Sequence, residues 1–355
     1  MNATTVAVDL AKNVFQVAVA DHHWKIIERA RLTRSQFERW FDNRECGTVV
    51  MEACGSAHHF ARCLTGQGFT VKLLPAQYVR AYVKRNKTDA ADAAALLEAA
   101  RANDIKPVAV KSIEQQALQG LHRTREAWKS TRTRRINTLR GFCREFGLVV
   151  PEGAATGLAQ MARYLADEHS ALPAILRPSM RLMLEEIRLL EARMAQLEIQ
   201  LAQIAKHSPA CQVLLTVPGI GLITSTAMVA AVGNPASFDS GRRYASFLGL
   251  TPREFSSGNT RYLRRISKRG DRYIRTLLTH GARSVLRSAT VARRAGRDID
   301  RLKGWALEVQ ARTNHNKAAC ALANKLARIA WAVWVKQEAY RGQALSVSPP
   351  ATCSV

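Results

Sequence analysis

Val6-Ala7-Val8-Asp9 is the first apolar stretch of the chain, and it ends in an acidic residue. Two more stretches rich in apolar residues follow it, Val14 to Val19 and Ile26 to Leu32, with turn residues at Lys12-Asn13 between the first two. Short runs of this kind, bounded by turn residues, are typical of β-strands. The sequence therefore predicts a sheet that begins with an antiparallel hairpin and a third strand.

Strands and helices alternate from there to about residue 105. Phe37, Trp40 and Phe41 are spaced as on one face of a helix, and Thr88-Asp89 has the composition of a helix start. The elements predicted after the third strand are a helix at Ser35 to Asn43, a buried strand at 47–52, a helix at 58–66, a strand at 69–74 and a helix at Ala90 to Asn103. The order β-β-β-α-β-α-β-α is that of a ribonuclease-H-like domain.

Composition narrows the class of protein. The 355 residues include 53 Lys+Arg and 28 Asp+Glu, so the formal net charge is +25, while hydrophobic residues make up 47%. This apolar content excludes a disordered basic tail, and neither a run of 18 uncharged apolar residues nor a signal-peptide pattern is visible. Seven scattered cysteines without a C-x-x-C pair argue against a disulfide scaffold or a zinc module. The positive excess predicts a polyanionic partner, with nucleic acid first.

Four acidic residues stand where this fold would bring them together: Asp9, Glu52, Asp89 and Asp92. Asp9 and Glu52 each end an apolar strand, and in a ribonuclease-H arrangement those two strands are neighbours. Asp89 and Asp92 share one face of a helix start. A carboxylate at a buried strand end is costly unless something neutralises it, and oxygen ligands of this kind suit Mg²⁺, with Mn²⁺ as an alternative. Four ordinary surface or capping acids remain the other interpretation.

The chain changes character after residue 108. Gln115 to Phe146 has the pattern of one long basic helix, and a second helix carries a seam of apolar residues spaced alternately by 3 and 4. The seam comprises Met180, Met183, Ile187, Leu190, Met194, Leu197, Leu201 and Ile204. It predicts central coiled-coil helices, which could form a hairpin within one chain, a contact between chains, or both. We assign residues 1–108 to the α/β domain and 109–206 to this segment.

Residues 207–342 are predicted to form a mostly helical domain, and 343–355 a flexible tail. Val217-Pro218-Gly219-Ile220-Gly221 lies between two apolar helices and resembles the turn of a helix–hairpin–helix DNA-binding unit. Glycines at Gly219 and Gly221 would let a phosphate approach the backbone, although a tight turn without a ligand is as good an interpretation. Ser256-Ser257-Gly258 is a second turn, and by itself it carries little functional information.

Positive charge is concentrated in two tracts, the helix at 115–146 and the stretch 261–287, which has nine Lys or Arg residues and one acid. Such an excess favours contact with phosphates over a merely solvated surface. A smaller cationic group precedes Asp89. The predicted nucleic-acid-binding residues are Lys84, Arg85, Lys87, Arg123, Lys129, Arg132, Arg135, Gly219, Gly221, Arg261, Arg264, Arg265, Lys268, Arg269 and Arg272.

Two sets of motifs, in the same order along the chain, resemble the DEDD-type insertion-sequence transposases, a family that includes the Piv-type DNA invertases. The N-terminal set is Asp9-Leu10-Ala11-Lys12, Met51-Glu52-Ala53-Cys54-Gly55-Ser56 and Asn86-Lys87-Thr88-Asp89-Ala90-Ala91-Asp92-Ala93. The C-terminal set is Val217-Pro218-Gly219-Ile220-Gly221, Phe247-Leu248-Gly249-Leu250-Thr251-Pro252, Ser256-Ser257-Gly258 and Ile266-Ser267-Lys268-Arg269-Gly270-Asp271. The resemblance covers roughly residues 5–105 and 210–290, with a compatible coiled-coil segment between them.

The resemblance implies a RuvC-like N-terminal domain, a coiled-coil segment and a C-terminal transposase domain. It places Asp9, Glu52, Asp89 and Asp92 on the family's metal-binding tetrad and Ser257 on its nucleophile. Ser256 stands where family members have Glu, which leaves the assignment between the two serines slightly open. The resemblance further implies a noncoding bridge RNA, encoded by the same element, that pairs with target and donor DNA. It also implies a tetramer in which the tetrad of one protomer meets the serine of another.

We therefore expect a bacterial, cytoplasmic and nucleoid-associated transposase that excises and inserts its own element by Mg²⁺-assisted, serine-mediated strand exchange. The expected partners are DNA at the element ends and target site, a guide RNA and further copies of the chain, with no membrane. One alternative is a structure-specific endonuclease of the Holliday-junction type that uses water as the nucleophile. The other, which is less favoured, is a nucleic-acid-binding protein without catalysis, in which the acids are structural.

Overall fold

The computed structural model describes residues 4–42, 44, 47–83, 89–102 and 104–342, without the side chains of Asp89 and Ala90. The chain divides into two compact units, Met1–Glu114 and Gln115–Val355. The domain boundaries expected after residues 108, 206 and 342 remain predictions. The tail expected at 343–355 lies outside the described residues.

Five strands build the first unit: β1 (Thr5–Leu10), β2 (Val14–Ala20), β3 (Ile26–Thr33), β4 (Thr48–Glu52) and β5 (Thr70–Leu74). They form one mixed sheet in the order β3-β2-β1-β4-β5. β2 pairs antiparallel with both β1 and β3, whereas β4 lies parallel to both β1 and β5. The antiparallel start and the parallel neighbours β1 and β4 are consistent with the predicted ribonuclease-H-like domain.

Helices pack on both faces of this sheet. They are α1 (Arg34–Trp40), α2 (Ala57–Gly66), α3 (Ala76–Val79) and α4 (Asp89–Arg101), with a 3₁₀ turn at Arg80–Tyr82. One face buries an aromatic cluster in which the ring of Phe15 on β2 lies 4.7 Å from that of Phe37 and 5.2 Å from that of Phe60. On the other face α4 packs against small residues, among them Ala7 and Ala18. Small side chains let the helix lie close to the sheet.

Helices also dominate the rest of the chain. They are α5 (Ile113–Glu145), α6 (Ala154–Ala166), α7 (Arg177–Lys206), α8 (Pro209–Leu215), α9 (Leu222–Val232), α10 (Gly241–Phe247), α11 (Arg272–Arg294), α12 (Arg301–Arg312) and α13 (His315–Lys336). A 3₁₀ turn lies at Pro235–Ser237, and β6 (Pro252–Glu254) pairs antiparallel with β7 (Leu263–Ile266). The long helix predicted at 115–146 is α5, with ends that differ by at most two residues.

Ion pairs join α5 to α7 in antiparallel orientation. Their nitrogen-to-oxygen distances are 2.5–2.6 Å, and the pairs are Arg125 with Glu198, Arg132 with Glu191 and Arg135 with Glu186. The residue numbers rise along α5 as they fall along α7, which is the pattern of a helical hairpin. Of the two arrangements predicted for the apolar seam, the hairpin within one chain is therefore present. Association between chains remains a prediction.

The apolar seam of α7 deviates from a strict seven-residue repeat. The members that are buried as expected are Met180, Ile187, Leu190, Leu197 and Leu201. The members that are not fully buried are Met183, Met194 and Ile204. Leu184 and Ala205, each one residue further along, are buried as well. An α-helix with 3.6 residues per turn drifts relative to a seven-residue repeat, so its buried stripe moves around the helix.

A buried polar network links three helices of the second unit through His122 of α5. The hydroxyl of Thr226 on α9 donates to the backbone oxygen of Leu222 at 2.7 Å, so it accepts a hydrogen bond from Nε2–H of His122 at 3.0 Å. The other ring nitrogen, Nδ1, then accepts from the hydroxyl of Tyr273 on α11 at 3.2 Å. Every polar atom of the imidazole is satisfied while the ring is neutral. Burial, with a smaller contribution from Arg125, lowers the pKa of His122 to about 4.

The His122 network predicts a loss of stability in mild acid. Histidine in an unfolded chain titrates near pH 6.5, so between pH 6.5 and 4 the unfolded state binds more protons than the folded one. The stability gained by keeping His122 neutral is complete above pH 6.5 and is lost as the pH falls toward 4. We expect His122→Gln, which does not titrate, to be less stable at pH 7 by about 1–3 kcal/mol, yet to lose less further stability by pH 4.5. Denaturant unfolding at both pH values measures this, and equal losses in the two proteins would contradict it.

α13 is the central helix of the C-terminal core. It contacts α8, α10, α11 and α12, and Leu322, Leu326 and Ala330 are fully buried along it. Among the described helices it alone is long and apolar enough to cross a membrane, but half of that apolar window is buried inside the unit. This is the pattern of a core helix.

Candidate active site and nucleic-acid interface

Asp9 and Glu52 lie at the carboxyl ends of two neighbouring parallel strands. β1 and β4 pair in register up to Val8 opposite Met51, and the two acids are the next residue on each strand. Side chains alternate between the faces of a sheet. Val8 and Met51 point into the aromatic core, so Asp9 and Glu52 share the opposite face, which is the face that α4 covers. Both acids are half-buried.

The start of α4 lies toward the same end of the sheet. Arg101, the last residue of α4, lines a pocket together with Thr5 and Thr48, the first residues of β1 and β4. The helix therefore runs antiparallel to these strands. Its first turn, which contains Asp92, is directed toward the strand ends that carry the two acids. The fold thus places Asp9 and Glu52 on one face and at one end of the sheet, and it directs the helical turn that carries Asp92 toward that end.

Asp92 has the chemistry of a metal ligand. Its Oδ1 is buried and has no hydrogen-bond partner within the described residues. A buried carboxylate oxygen left in this way is costly, and a divalent cation, which prefers hard oxygen ligands, would satisfy it. Within the described part of the chain, no three His, Cys, Asp or Glu side chains group closely enough to hold a metal on their own. The side chain of Asp89, the remaining predicted ligand, lies outside that part.

Ser257 lies at the tip of the β6–β7 hairpin. Its backbone N–H donates to the oxygen of Thr260 at 3.2 Å, and the N–H of Thr260 donates back at 3.1 Å, which closes a tight turn over Gly258-Asn259. Gly258 has a positive φ of 53°, the conformation that such a turn requires at its first central position. Ser257 is exposed, and its hydroxyl makes no hydrogen bond to any described residue. The turn therefore presents an uncommitted hydroxyl to solvent.

The hydroxyl of Ser256, in contrast, is held in place. It donates to Oε1 of Glu254 at 2.8 Å and accepts from the backbone N–H of Tyr262 at 3.3 Å. Nε of Arg261 donates to the same Oε1 at 3.1 Å. The hydrogen bond from Ser256, followed by the charge of Arg261, lowers the pKa of the Glu254 carboxyl below its usual range. Glu254 thus ties together the two strands at the base of the Ser257 turn.

The predicted nucleic-acid-binding cations at 261–272 lie on this hairpin and just after it, and all are exposed. The guanidinium of Arg264 lies 4.9 Å from the ring centre of Phe255 and 5.3 Å from that of Tyr262. Of these cations only Arg261 has an ion pair among the described residues, and Arg264, Arg265, Lys268, Arg269 and Arg272 have none. The surface that follows Ser257 is therefore strongly positive, as contact with a phosphate backbone requires.

The predicted cations of α5 divide into two kinds. Arg132 and Arg135 are ion-paired to α7, and the ammonium of Lys129 lies 3.4 Å from a carboxylate oxygen of Glu126. Arg123 is exposed and has no ion pair among the described residues. Part of the charge of α5 thus stabilises the hairpin and is less available to phosphates than the sequence suggests. The predicted contacts at Lys84, Arg85 and Lys87 lie outside the described residues.

The two glycines of the proposed helix–hairpin–helix turn differ in their surroundings. Gly219 has a φ of 82°, and a Cβ added there would lie 2.9 Å from the backbone oxygen of Gly281 on α11, so this glycine is required for packing. Gly221 is exposed at the start of α9, with open space around the position of a Cβ. Gly221 is the member of the pair whose backbone a phosphate could approach. The DNA-binding interpretation of the turn stays a prediction.

Glu254 is the part of the site that sequence reasoning misses. The available signal is the alternation Glu254-Phe255-Ser256, which in a strand places the acid and the serine on the same side. An acid two residues before a serine is common in any sequence. The cross-strand partner Arg261, which gives the pair its meaning, becomes apparent only in the folded hairpin.

Comparison with known proteins agrees with these motifs. A profile of DEDD transposases of the IS110 type matches residues 6–146, and one described as "Transposase IS116/IS110/IS902 family" matches residues 211–296. "Probable family 20 transposase" of Pseudomonas aeruginosa is 42% identical over 96% of this chain and 99% of its own length.

Two further relatives are named as a transposase and as a gene-inverting protein. "Transposase for insertion sequence element IS1111A" of Coxiella burnetii is 37% identical over 95% of this chain and 91% of its own length. "Pilin gene-inverting protein" of Moraxella bovis is 25% identical over 73% of this chain and 75% of its own length. The resemblance inferred from the motifs is thereby confirmed. The chain belongs to the IS116/IS110/IS902 family of transposases, enzymes that act on DNA.

Proposed function

We propose that this transposase excises and inserts its own insertion sequence by exchanging DNA strands through a covalent link to Ser257. The observation that carries the proposal is the environment of Ser257: its exposed hydroxyl makes no hydrogen bond to any described residue, at the tip of a hydrogen-bonded turn that unpaired cations follow. Serine needs an ordered, cationic environment to act on a phosphate, because charge builds on the phosphate oxygens during attack. The surroundings of the β6–β7 hairpin have that character.

Asp9, Glu52, Asp89 and Asp92 would hold the divalent metal ion that DEDD transposases typically bind, either Mg²⁺ or Mn²⁺. When bound, such an ion supplies positive charge that polarises the scissile phosphate. The placement of Asp9 and Glu52 on the α4 face and the unsatisfied Oδ1 of Asp92 support this assignment. The tetrad carboxylates would hold the ion and so position its charge.

The serine step balances without any further reactant. Ser257 Oγ attacks the phosphorus of the scissile phosphodiester, an Oγ–P bond forms, and the bond from phosphorus to one sugar oxygen breaks. The serine proton is lost and the leaving sugar oxygen gains one. The phosphoserine bond retains the energy of the broken phosphodiester, so a sugar hydroxyl of a second strand can displace Ser257 and restore a continuous backbone. Arg264 and Arg265 lie on the same hairpin without an ion pair to any described residue, and they would offset the charge on the phosphate.

Two kinds of nucleic acid are the proposed partners, namely DNA at the element ends and target site and a noncoding bridge RNA that guides the reaction. The separate groups of cations on α5 and on the β6–β7 hairpin with the residues just after it support two binding surfaces on one chain. Arg123, Gly221 and the unpaired cations that follow Ser257 are the proposed contacts that remain accessible. The proposed site of action is the bacterial cytoplasm, in association with the nucleoid.

A tetramer is the proposed active form. The tetrad belongs to the first unit and Ser257 to the second, which suits a composite site in which the tetrad of one protomer meets the serine of another. Exposed apolar residues on the outer side of α7 support association through this coiled-coil segment. They are Leu182 (65% exposed), Leu189 (50%) and Ile199 (62%).

Trapping the covalent link tests the proposal. Bacteria that express the full chain with a plasmid carrying the element and its flanking noncoding DNA are lysed in strong detergent, and DNA attached to protein is recovered. We expect an adduct that disappears on protease treatment, together with rejoined DNA across the site of excision. Free cut ends without an adduct would instead establish the water-using endonuclease. Neither product would favour binding without catalysis.

A further inference from the structure

A second cationic surface lies away from the Ser257 hairpin, on the opposite end of α11. Here α11, the end of α12 and the start of α13 enclose an open cleft of about 640 Å³. Arg283, Arg287 and Arg294 of α11 line it, and His315 lines it from α13. All four side chains are exposed, and none of the residues lining the cleft is acidic. The cleft shares no residue with β6 or β7.

The spacing of the three arginines follows one side of the helix. They are separated by four and seven residues, which brings side chains to the same face of an α-helix. From Arg283 to Arg294 the helix rises about 16 Å. One strand of B-form DNA presents about five phosphates over that length. The row therefore has the dimensions for several contacts with one nucleic-acid backbone.

The charge of this row is not used inside the protein. Arg283 donates to the amide oxygen of Asn316 at 3.1 Å, which is a neutral partner. Arg287, Arg294 and His315 have no ion pair with any residue that the structure describes. The arginines of α5 differ, because three of them are paired with glutamates of α7. Like charges held together without compensation repel one another, and a bound polyanion would relieve that repulsion.

Two further residues that line the cleft, Val291 and Gln310, could contact the sugar or base of a nucleotide. Val291 is 49% exposed there and offers an apolar surface to a sugar. Gln310, also in the lining, has a buried Oε1 without a hydrogen-bond partner among the described residues. A hydroxyl or amino group of a ligand would satisfy that oxygen, and a nucleotide carries such groups on its sugar or base. The cleft thus combines arginines for phosphates, an apolar side chain for a sugar and a hydrogen-bond acceptor for a sugar or base.

We propose that this cleft is a binding site for the phosphodiester backbone of a nucleic acid, distinct from the surface that presents Ser257. The proposal rests on the proposed function in so far as a nucleic acid must be present. It assigns a role to Arg283, Arg287 and Arg294 that the action of Ser257 does not require. DNA and RNA share the backbone chemistry, and the experiment below separates them.

The test measures nucleic-acid affinity of the full chain as a function of salt. The probes are a short mixed-sequence DNA duplex and a single-stranded RNA, each with a fluorescent label. The cleft variant is Arg287→Gln with Arg294→Gln, and the matched control is Arg293→Gln with Arg297→Gln, which removes two exposed arginines next to the cleft. Glutamine has nearly the helix propensity of arginine, so the fold is expected to persist in both. A third variant with lysine at 287 and 294 keeps the charge.

We expect the cleft variant alone to lose about tenfold or more in affinity at low salt. The slope of log affinity against log salt should fall by about one for each phosphate contact removed. The lysine variant should recover most of both. An effect on the RNA probe alone assigns the site to RNA, and an effect on the duplex alone assigns it to DNA.

Two results would contradict the proposal that the cleft binds nucleic acid. A cleft variant that matches wild type, or a control variant that weakens binding equally, would show that only the general positive field matters. Since wild type would still bind in both cases, the proposed function would stand. If wild type bound neither probe, the proposed function and the cleft would fail together.

Discussion

Ser257→Ala is expected to abolish strand exchange, with a loss of at least about a thousandfold and no recoverable protein–DNA adduct. Removing a covalent nucleophile eliminates the route itself, because no neighbouring group forms the same bond. Ser257 makes only backbone hydrogen bonds at the turn, so alanine should leave the hairpin intact. The measurement is the fraction of element excised in cells, together with adduct recovery under denaturing conditions.

Ser256→Ala is the matched control, one residue away. It removes the hydrogen bonds to Glu254 and from the N–H of Tyr262, each worth about 1 kcal/mol, so a loss of activity of up to about thirtyfold is expected. The adduct should still form. If Ser257→Ala kept normal excision while Ser256→Ala lost it, the nucleophile would be Ser256, with Glu254 as its hydrogen-bonded base.

Asp92→Asn is expected to lower strand exchange by at least about a hundredfold while leaving the folded protein as stable as wild type or more so. The amide has the same shape as the carboxylate, and it removes a negative oxygen that is buried without a partner. A metal ion held partly by Asp92 would lose a charged ligand, and metal charge stabilises such reactions by several kcal/mol. Excision assays and thermal unfolding of the metal-free protein measure the two effects.

Metal binding itself gives a readout that does not depend on activity. Added Mn²⁺ should raise the melting temperature of wild type, because a ligand that binds only the folded state stabilises it. The increase should be absent in Asp92→Asn and unchanged in Glu98→Gln, which alters an exposed acid on the same helix paired with Arg101 at 3.2 Å. An equal increase in all three proteins would remove Asp92 from the metal site.

The first unit could be predicted well from sequence because its signals are local. Continuous apolar runs around Val8 and Met51 define the two strands. The acid that ends each run lies on the face opposite to Val8 and Met51, because side chains alternate between the faces of a sheet. The direction of α4 is also predictable, because a helix packed on parallel strands usually runs antiparallel to them. This direction carries Asp92 toward those acids.

The parts that sequence reasoning missed depend on pairs distant in the chain. Arg132 and Arg135 look like phosphate-binding cations until Glu191 and Glu186, more than 50 residues later, are placed opposite them. Gly219 looks like a phosphate-binding glycine until the backbone of Gly281 is seen against it. The type of a residue limits the contacts that it can make, and its neighbours in the folded chain determine which of those contacts form.

The α5–α7 hairpin also fixes the distance between two clusters of buried side chains. Met180 packs with Met161 of α6 at one end, and Leu201 packs with Ala230 of α9 at the other. The 21 residues between them hold these two clusters about 32 Å apart, the axial length of about nine base pairs of B-form DNA. Each residue inserted in one helix would move its tip by about 1.5 Å and turn it by about 100°. The length of this hairpin therefore sets the distance between the cluster at α6 and the cluster at α9. A change in that length should change this distance while leaving the residues around Ser257 as they are.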